Sequence, residues 1–294
     1  MPDIAINTDL CKKCGTCTLT CPQAIFQQEE KGTVPVLERI ESCMHCGQCV
    51  AVCPQGAISH SDYPEGTIFE VRPEYLPSYD HVLELARTRR SRRHFREKEV
   101  EREVIEKVLD AARFAPSEHN AQGTEFVVIQ DRDAIHEIGV LTVGYYDTMV
   151  KRLETPIGRA IFRLMAGKRG LETVLKLAPE IAGLVSLFNS GTDLVLREAP
   201  VLLFACADTA GGFPAISASL ALQNAALAAE ALGLACFYPG FVVRAGMRDD
   251  AIARFISLPE THGIYGGLAM GYPRVRFKKW PERNPAKVTW MGAD

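Results

Sequence analysis

The chain has 294 residues, of which 47% are hydrophobic and 23% charged, and its formal net charge is -3. That length points to two domains, and the apolar share supplies a sizeable packed core. A slightly acidic chain with no stacking aromatic series beside its basic residues excludes a nucleic-acid binder.

Two cysteine runs dominate the N-terminal part: Cys11-x2-Cys14-x2-Cys17-x3-Cys21-Pro22 and Cys43-x2-Cys46-x2-Cys49-x3-Cys53-Pro54. Tight two-residue spacers let three thiolates of one short loop converge on a cubane. Gly15 and Gly47 give the loop freedom in φ, and Pro22 and Pro54 turn the chain after the last cysteine. The pattern is that of bacterial ferredoxins, in which the fourth cysteine of each run serves the other cluster. One 4Fe–4S cluster is therefore expected on Cys11, Cys14, Cys17 and Cys53, and the other on Cys43, Cys46, Cys49 and Cys21. Structural zinc and disulfides are the competing readings, and they fit worse because zinc ligands come as pairs of cysteines. Each oxidised cluster with its thiolates adds about two negative charges. His45, between two ligands, is a candidate hydrogen-bond donor to a cluster sulfur. Ile4–Ile6 and 34–37 read as short strands, and 24–26 and 57–59 each follow a Cys-Pro, so the two halves form an internal repeat.

Residues 61–80 form a polar stretch with Pro64, Gly66, Pro73 and Pro77, expected as a linker in which 68–71 lies extended on a neighbouring surface. Helices are predicted over 81–89, 100–115, 134–141, 215–232 and 248–256. The predicted strands are 125–129 and 200–205, both read as central, then 234–237 and 266–271. Residues 145–195 read as an irregular helical insertion broken at Pro156, Gly158, Gly167, Gly170 and Pro179, able to cover a site. Gly233 caps the small-residue helix. The tail 272–290 is basic and extended. The pattern is α+β, a sheet flanked by helices and preceded by the small cluster module. Gln223, Asn224 and Glu230 in the apolar stretch 213–236 argue for a core or interface helix and against a membrane span. Cys206 and Cys236 read as buried thiols. Met1–Ile4 lacks a basic or apolar leader pattern, so no signal peptide is expected, and reduced cluster ligands imply a cytoplasmic protein.

The turn Arg89-Arg90-Ser91-Arg92-Arg93-His94-Phe95 suits a phosphate, since guanidinium forks pair bidentately with its oxygens. Further along lie Ala115-Pro116-Ser117-Glu118-His119-Asn120-Ala121-Gln122, then Gly233 to Gly240 with Tyr238-Pro239-Gly240 at its end, then Gly271-Tyr272-Pro273 followed by Arg283. This ordered set resembles the FMN-dependent nitroreductase family over residues 81–294. With the cysteine runs, the chain looks like a ferredoxin–nitroreductase fusion: 1–60 ferredoxin-like, 61–80 linker, 81–294 flavin domain with a nitroreductase-like mixed sheet. Pro239 and Gly123-Thr124-Glu125 depart from the family pattern on the expected flavin and substrate side, so the resemblance implies the cofactor more than the substrate class.

The resemblance implies that Arg89, Arg90, Ser91 and Arg93 hold the FMN phosphate and ribityl chain or the pyrimidine edge, with Lys279 and Arg283 returning to the phosphate. It implies an intertwined homodimer in which Pro116, Ser117 and Asn120 reach the flavin of the opposite subunit. Tyr238, Pro239 and Gly240 then lie along the isoalloxazine, with the Gly240 N–H as donor to N5, since proline has none. The expected cofactors are FMN and two 4Fe–4S clusters. The expected activity is an oxidoreductase in which the clusters relay electrons to or from FMN, which reduces a small acceptor such as a nitroaromatic or quinone. A low-potential donor protein or NAD(P)H supplies the electrons, and no nucleic acid or membrane partner is expected. No catalytic acid or base is named; His119 is read as either substrate-facing or solvent-facing, and His262 as structural or solvent-facing. The competing reading is an electron-transfer or flavin-sensing module that serves a partner protein without turning over its own substrate.

Overall fold

The computed structural model describes residues 1–292. It divides into two compact units, 1–77 with 116–122, and 78–115 with 123–294. In the first unit the elements run β1 (Ile4–Ile6), α1 (Thr16–Thr20), β2 (Phe26–Gln27), β3 (Val36–Leu37), α2 (Gln48–Val52) and β4 (Ile58–His60). Antiparallel pairing of β1 with β4 sets Ile4 opposite His60, and β2 pairs with β3. Both helices start from a left-handed glycine, Gly15 at φ 72° and Gly47 at φ 69°, a conformation that costs a side chain a steric penalty. Ile4, Ile25, Phe26, Val50 and Ile58 form a core small enough that cysteines make up much of its packing. A core this small leaves a module of this size short of apolar burial for its stability.

The second unit begins with α3 (Tyr79–Thr88), capped by the Ser78 hydroxyl, which accepts from the His81 N–H. It continues through α4 (Arg102–Arg113), β5 (Glu125–Ile129), α5 (Arg132–Glu154), α6 (Pro156–Asn189), β6 (Val201–Asp208), α7 (Pro214–Ala231), β7 (Ala235–Phe237), α8 (Gly240–Gly246), α9 (Ala251–Phe255) and β8 (His262–Gly271). The sheet order is β5-β6-β8-β7, antiparallel throughout. Strand β6 is buried on both faces. Val201, Leu203 and Ala205 pack with α4 and α7, while Leu202, Phe204 and Cys206 pack with α5, α6, α8 and α9. Period-two alternation thus sorts one continuous apolar run into two cores.

Several sequence expectations need correction. Strand β5 is an edge strand, not a central one. Its run is apolar because Phe126 and Val128 pack on one core and Val127 and Ile129 on the other, so both faces are covered although one edge is open. Helix α5 runs on to Glu154, because Thr142, Val143, Tyr146 and Leu153 continue its buried stripe. Within α6 only Gly167 leaves helical dihedrals, at φ 72° and ψ 175°; Gly158, Gly170 and Pro179 are carried inside the helix. Helix α8 lies between the predicted strand 234–237 and the predicted helix 248–256, where the sequence predicts no element, and residues 68–71 are exposed rather than packed. The Gly233 cap matches expectation, at φ 78° with the Leu234 N–H donating to the Ala229 carbonyl at 2.8 Å. Among the described residues no helix is long and apolar enough to cross a membrane.

Two glycines give opposite stability predictions. A Cβ on Gly267 would stand 2.9 Å from the Leu203 carbonyl oxygen, a backbone atom held in the sheet. Gly267→Ala should therefore destabilise by roughly 1–3 kcal/mol. In α6, Gly183 has open space around its would-be Cβ, so Gly183→Ala should stabilise by up to about 1 kcal/mol through helix propensity. Thermal unfolding midpoints of the two variants moving in the same direction would contradict this packing account.

Candidate functional site

The first unit gathers its cysteines crosswise. Cys11, Cys14 and Cys17 share one cavity with Cys53, while Cys43, Cys46 and Cys49 share another with Cys21. Backbone N–H groups already point at the ligand sulfurs: Lys13 to Cys11 at 3.4 Å, Ile25 to Cys21 at 3.4 Å, His45 to Cys43 at 3.4 Å and Ala57 to Cys53 at 3.2 Å. Burial pushes the thiols of Cys17 and Cys43 up, and that of Cys49 up to about 11, whereas the Thr16 hydroxyl lowers that of Cys14. Buried thiols of this kind become thiolates only beside cationic charge, which iron supplies. No group of three or more His, Cys, Asp or Glu among the described residues is gathered for a single ion. Four thiolates on four corner irons stand farther apart than four on one zinc, so the donor sets fit a cluster.

The histidine expected to reach a sulfur does not do so through its ring. The His45 imidazole pairs through Nδ1 with Asp62, and only its backbone N–H faces Cys43. His60 takes that place. It is 4% exposed, and its Nε2 lies 3.6 Å from Cys43 Sγ. The Asp62 N–H donates to His60 Nδ1 at 3.2 Å, which puts the ring proton on Nε2. Burial first of all lowers the His60 pKa. The internal repeat carried a signal for this: matching Cys21-Pro22 to Cys53-Pro54 sets His60 opposite Gln28.

Segment 116–122 groups with the first unit, and Pro116, Ser117 and Asn120 are found there. The Asn120 amide and the Tyr63 hydroxyl both donate to the His45 carbonyl, each at 2.6 Å. His119, Asn120 and Gln122 all hold left-handed φ, at 47°, 55° and 50°. Such backbone is costly for non-glycine residues and clusters where function demands it. Ser117 Oγ accepts from the Gln122 N–H at 2.9 Å and closes the turn. His119 is exposed.

In the second unit the arginine turn docks along the sheet. Ser91 pairs in parallel with Cys236, the Arg92 N–H donates to the Cys236 carbonyl at 3.0 Å, and Phe95 pairs with Pro273. Arg92 turns inward to Glu230 and to the Leu234 carbonyl. Arg93 turns outward, its guanidinium 5.5 Å from the Phe237 ring centroid. A cavity of about 1790 Å3 is lined by Arg93, Tyr238, Pro239 and Gly240 together with α5 and α6. Beside it, Ser91, Arg92, Arg93, His94 and Arg197 line a cavity of about 390 Å3. The turn thus offers hydroxyl and guanidinium donors to an anion at one end of a largely apolar chamber. Such a chamber fits a planar ring carrying a phosphate. Arg89 and Arg90 are half-buried beside the turn, and Lys279 and Arg283 are exposed in the tail; none of the four lines these cavities. The Gly240 N–H, expected to face flavin N5, instead donates to the Tyr238 carbonyl at 2.9 Å. The sequence reading omitted Arg197, which holds a left-handed φ of 59° and lines both cavities. Deep in the core, Tyr146 donates to the Phe241 carbonyl at 3.2 Å, and burial pushes its hydroxyl up to about 12. His262 lies 3.3 Å from Glu125, bracing β8 against β5. Cys206 and Cys236 are buried and unpaired.

With this geometry in place, comparison with known proteins is informative. Residues 10–58 match the 4Fe-4S dicluster domain. A "Putative NADH dehydrogenase/NAD(P)H nitroreductase" of Methanothermobacter thermautotrophicus is 27% identical over 216 residues, 68% of this chain and 87% of that protein. A "CR(VI) reductase" of Pseudomonas sp. (strain G-1) is 26% identical over 207 residues, 70% of this chain and 72% of that protein. Among solved structures, a nitroreductase with bound FMN from Bacteroides fragilis superposes with a TM-score of 0.53 at 19% identity, over 72% of this chain and 98% of the other. An FMN-bound nitroreductase from Desulfitobacterium hafniense gives 0.51 at 20%, over 73% and 100%. These two share the fold. Residues 86–272 match the Nitroreductase family itself, and the chain belongs to that family.

Proposed function

We propose that the chain is a flavin-dependent oxidoreductase in which two 4Fe–4S clusters relay electrons to or from FMN for the reduction of a small acceptor, a nitroaromatic, a quinone or a similar molecule. The observation that carries this reading is that one chain joins a nitroreductase-family unit, holding a large chamber with a cationic end, to two separate four-cysteine cavities. FMN supplies two-electron chemistry and the clusters supply single-electron carriage. In this reading residues 1–60 are the ferredoxin-like domain, 61–80 the linker and 81–294 the flavin domain of a cytoplasmic homodimer.

The chain's own residues have distinct tasks. Arg93 and Ser91 hold the phosphate, with Arg89, Arg90, Lys279 and Arg283 adding charge around it. Tyr238, Pro239 and Gly240 edge the flavin ring. Pro116, Ser117 and Asn120 edge the site of the partner subunit. Ile157, Ile161, Phe162 and Met165 of α6 wall the chamber with apolar surface. The likeness to an NAD(P)H nitroreductase of Methanothermobacter thermautotrophicus favours a pyridine nucleotide as one electron donor, and a low-potential donor protein would deliver to the clusters.

Anaerobically purified protein should release FMN on heat extraction and carry iron and sulfide for two 4Fe–4S clusters per chain. It should also oxidise NAD(P)H or a chemical reductant with nitroaromatics or quinones. Protein free of flavin would end this reading. Loss of one charge-assisted contact to phosphate is worth about 1.5–3 kcal/mol, so Arg93→Ala should weaken FMN retention at least about tenfold, measured by flavin fluorescence on dilution.

The crosswise ligand sets make a separate prediction. Cys21→Ser should leave the same residual electron paramagnetic resonance spectrum as Cys43→Ser, and a different one from Cys53→Ser. Cys21→Ser behaving like Cys11→Ser would refute the exchange of ligands between runs.

A further inference from the structure

The two halves of the cysteine module are near copies, so their differences show how each cavity is specialised. Counting from the Cys-Pro steps sets Lys13 against His45 and Gln28 against His60. The backbone donors match: each half gives one N–H to its first cysteine and one to its fourth, at 3.2–3.4 Å. The side chains do not match. Gln28 spends its amide on the carbonyls of Lys13 and Thr33, at 3.2 and 2.7 Å, and gives nothing to sulfur. His60 lines the second cavity and aims its Nε2–H at Cys43 Sγ. The cavities also differ in exposure: Cys14 of the first is exposed and Cys49 of the second is buried.

That difference in burial has a cost for redox chemistry. Adding an electron to an anionic cluster is harder in the drier site, which by burial alone takes the lower potential. A hydrogen bond to a ligand sulfur acts the other way, because it stabilises the more negative, reduced form. Thr16 supplies such a contact to Cys14, at 3.1 Å, in the already wetter cavity. The drier cavity relies on the buried imidazole.

Building on the two-cluster reading above, we propose that His60 raises the reduction potential of the cluster in the second cavity by donating its Nε2–H to the Cys43 thiolate, and so offsets that cavity's burial and keeps the two clusters within reach of each other for electron exchange. In that exchange one cluster loses one electron and the other gains it. No bond is made or broken, and His60 keeps its proton in both states.

The test is a potentiometric titration of the intact, anaerobic protein followed by electron paramagnetic resonance, with iron and sulfide assayed on the same samples, comparing wild type, His60→Leu and His60→Gln. In His60→Leu one of the two midpoints should fall by about tenfold in the reduction equilibrium constant, about 59 mV for one electron. The other midpoint should stay in place, and His60→Gln, which retains an N–H donor, should recover most of the fall. Wild-type protein grown with histidine labelled with 15N in the imidazole ring alone, so that the His45 backbone N–H at the same sulfur stays silent, should show a nitrogen coupling on one reduced cluster only. Midpoints unmoved in His60→Leu, both moved together, or His60→Gln shifted as far as the leucine variant would overturn the inference. If His60→Leu fails to load its second cluster, the 15N coupling decides, and its absence from wild type overturns it equally. Iron for a single cluster in wild type would overturn the two-cluster reading and this inference with it, whereas iron for two with unmoved midpoints defeats this inference alone.

Discussion

Four thiols facing one small cavity cannot all ionise in an apolar setting unless positive charge sits among them. The first unit is arranged around that constraint. Its core is minor, its strands are two or three residues long, and cysteines supply part of its packing. Because each cavity draws its fourth thiol from the other run, neither half can close a site alone. Pairing of β1 with β4 joins the beginning and end of the module, so the two halves are held as one body by backbone as well as by ligand exchange.

The second unit solves a different problem, the placing of fixed positive charge beside an apolar chamber. Its sheet is buried at the centre, where β6 from Val201 to Ala207 and most of β8 are shielded from solvent. The arginine turn has no regular structure of its own and takes its shape from that sheet, through the Ser91–Cys236 and Phe95–Pro273 pairings and the Arg274 N–H to His94 carbonyl bond at 2.9 Å. With Arg92 committed inward to Glu230, the neighbours Ser91 and Arg93 are left facing the cavities. One arginine anchors the turn and the next lines both cavities. The spacing of polar and charged residues alone does not distinguish those tasks.

The cysteine runs, the β6 strand, the small-residue helix with its Gly233 cap and the arginine turn were all legible in the sequence, because each rests on local chemistry or a strong periodicity. What escaped depended on tertiary choice. The apolar run of β5 reads as central because helices cover both its faces, although it has only one strand neighbour. Gly170 and Pro179 look like breakers, but a helix tolerates either when the stripe around it stays packed. His45 sits between ligands in sequence, yet its ring leaves for Asp62, while His60 arrives from a strand seventeen residues beyond Cys43. Arg197 follows a long helix with no motif to announce it.

Segment 116–122 adds one more physical point. Its flanks are α4 and β5 of the second unit, but the segment itself belongs to the first, so the chain passes between the units three times, after Pro77, Ala115 and Gln122. Three left-handed non-glycine residues in four positions cost of order 1–3 kcal/mol each. The strain is offset by the Asn120 amide on the His45 carbonyl and by the Ser117 hydroxyl closing its turn. The His45 carbonyl belongs to the very loop that presents Cys43 and Cys46. A seven-residue excursion from the second unit's sequence thus helps to hold, at the expense of backbone strain, the loop of the first unit that presents two of its cysteines.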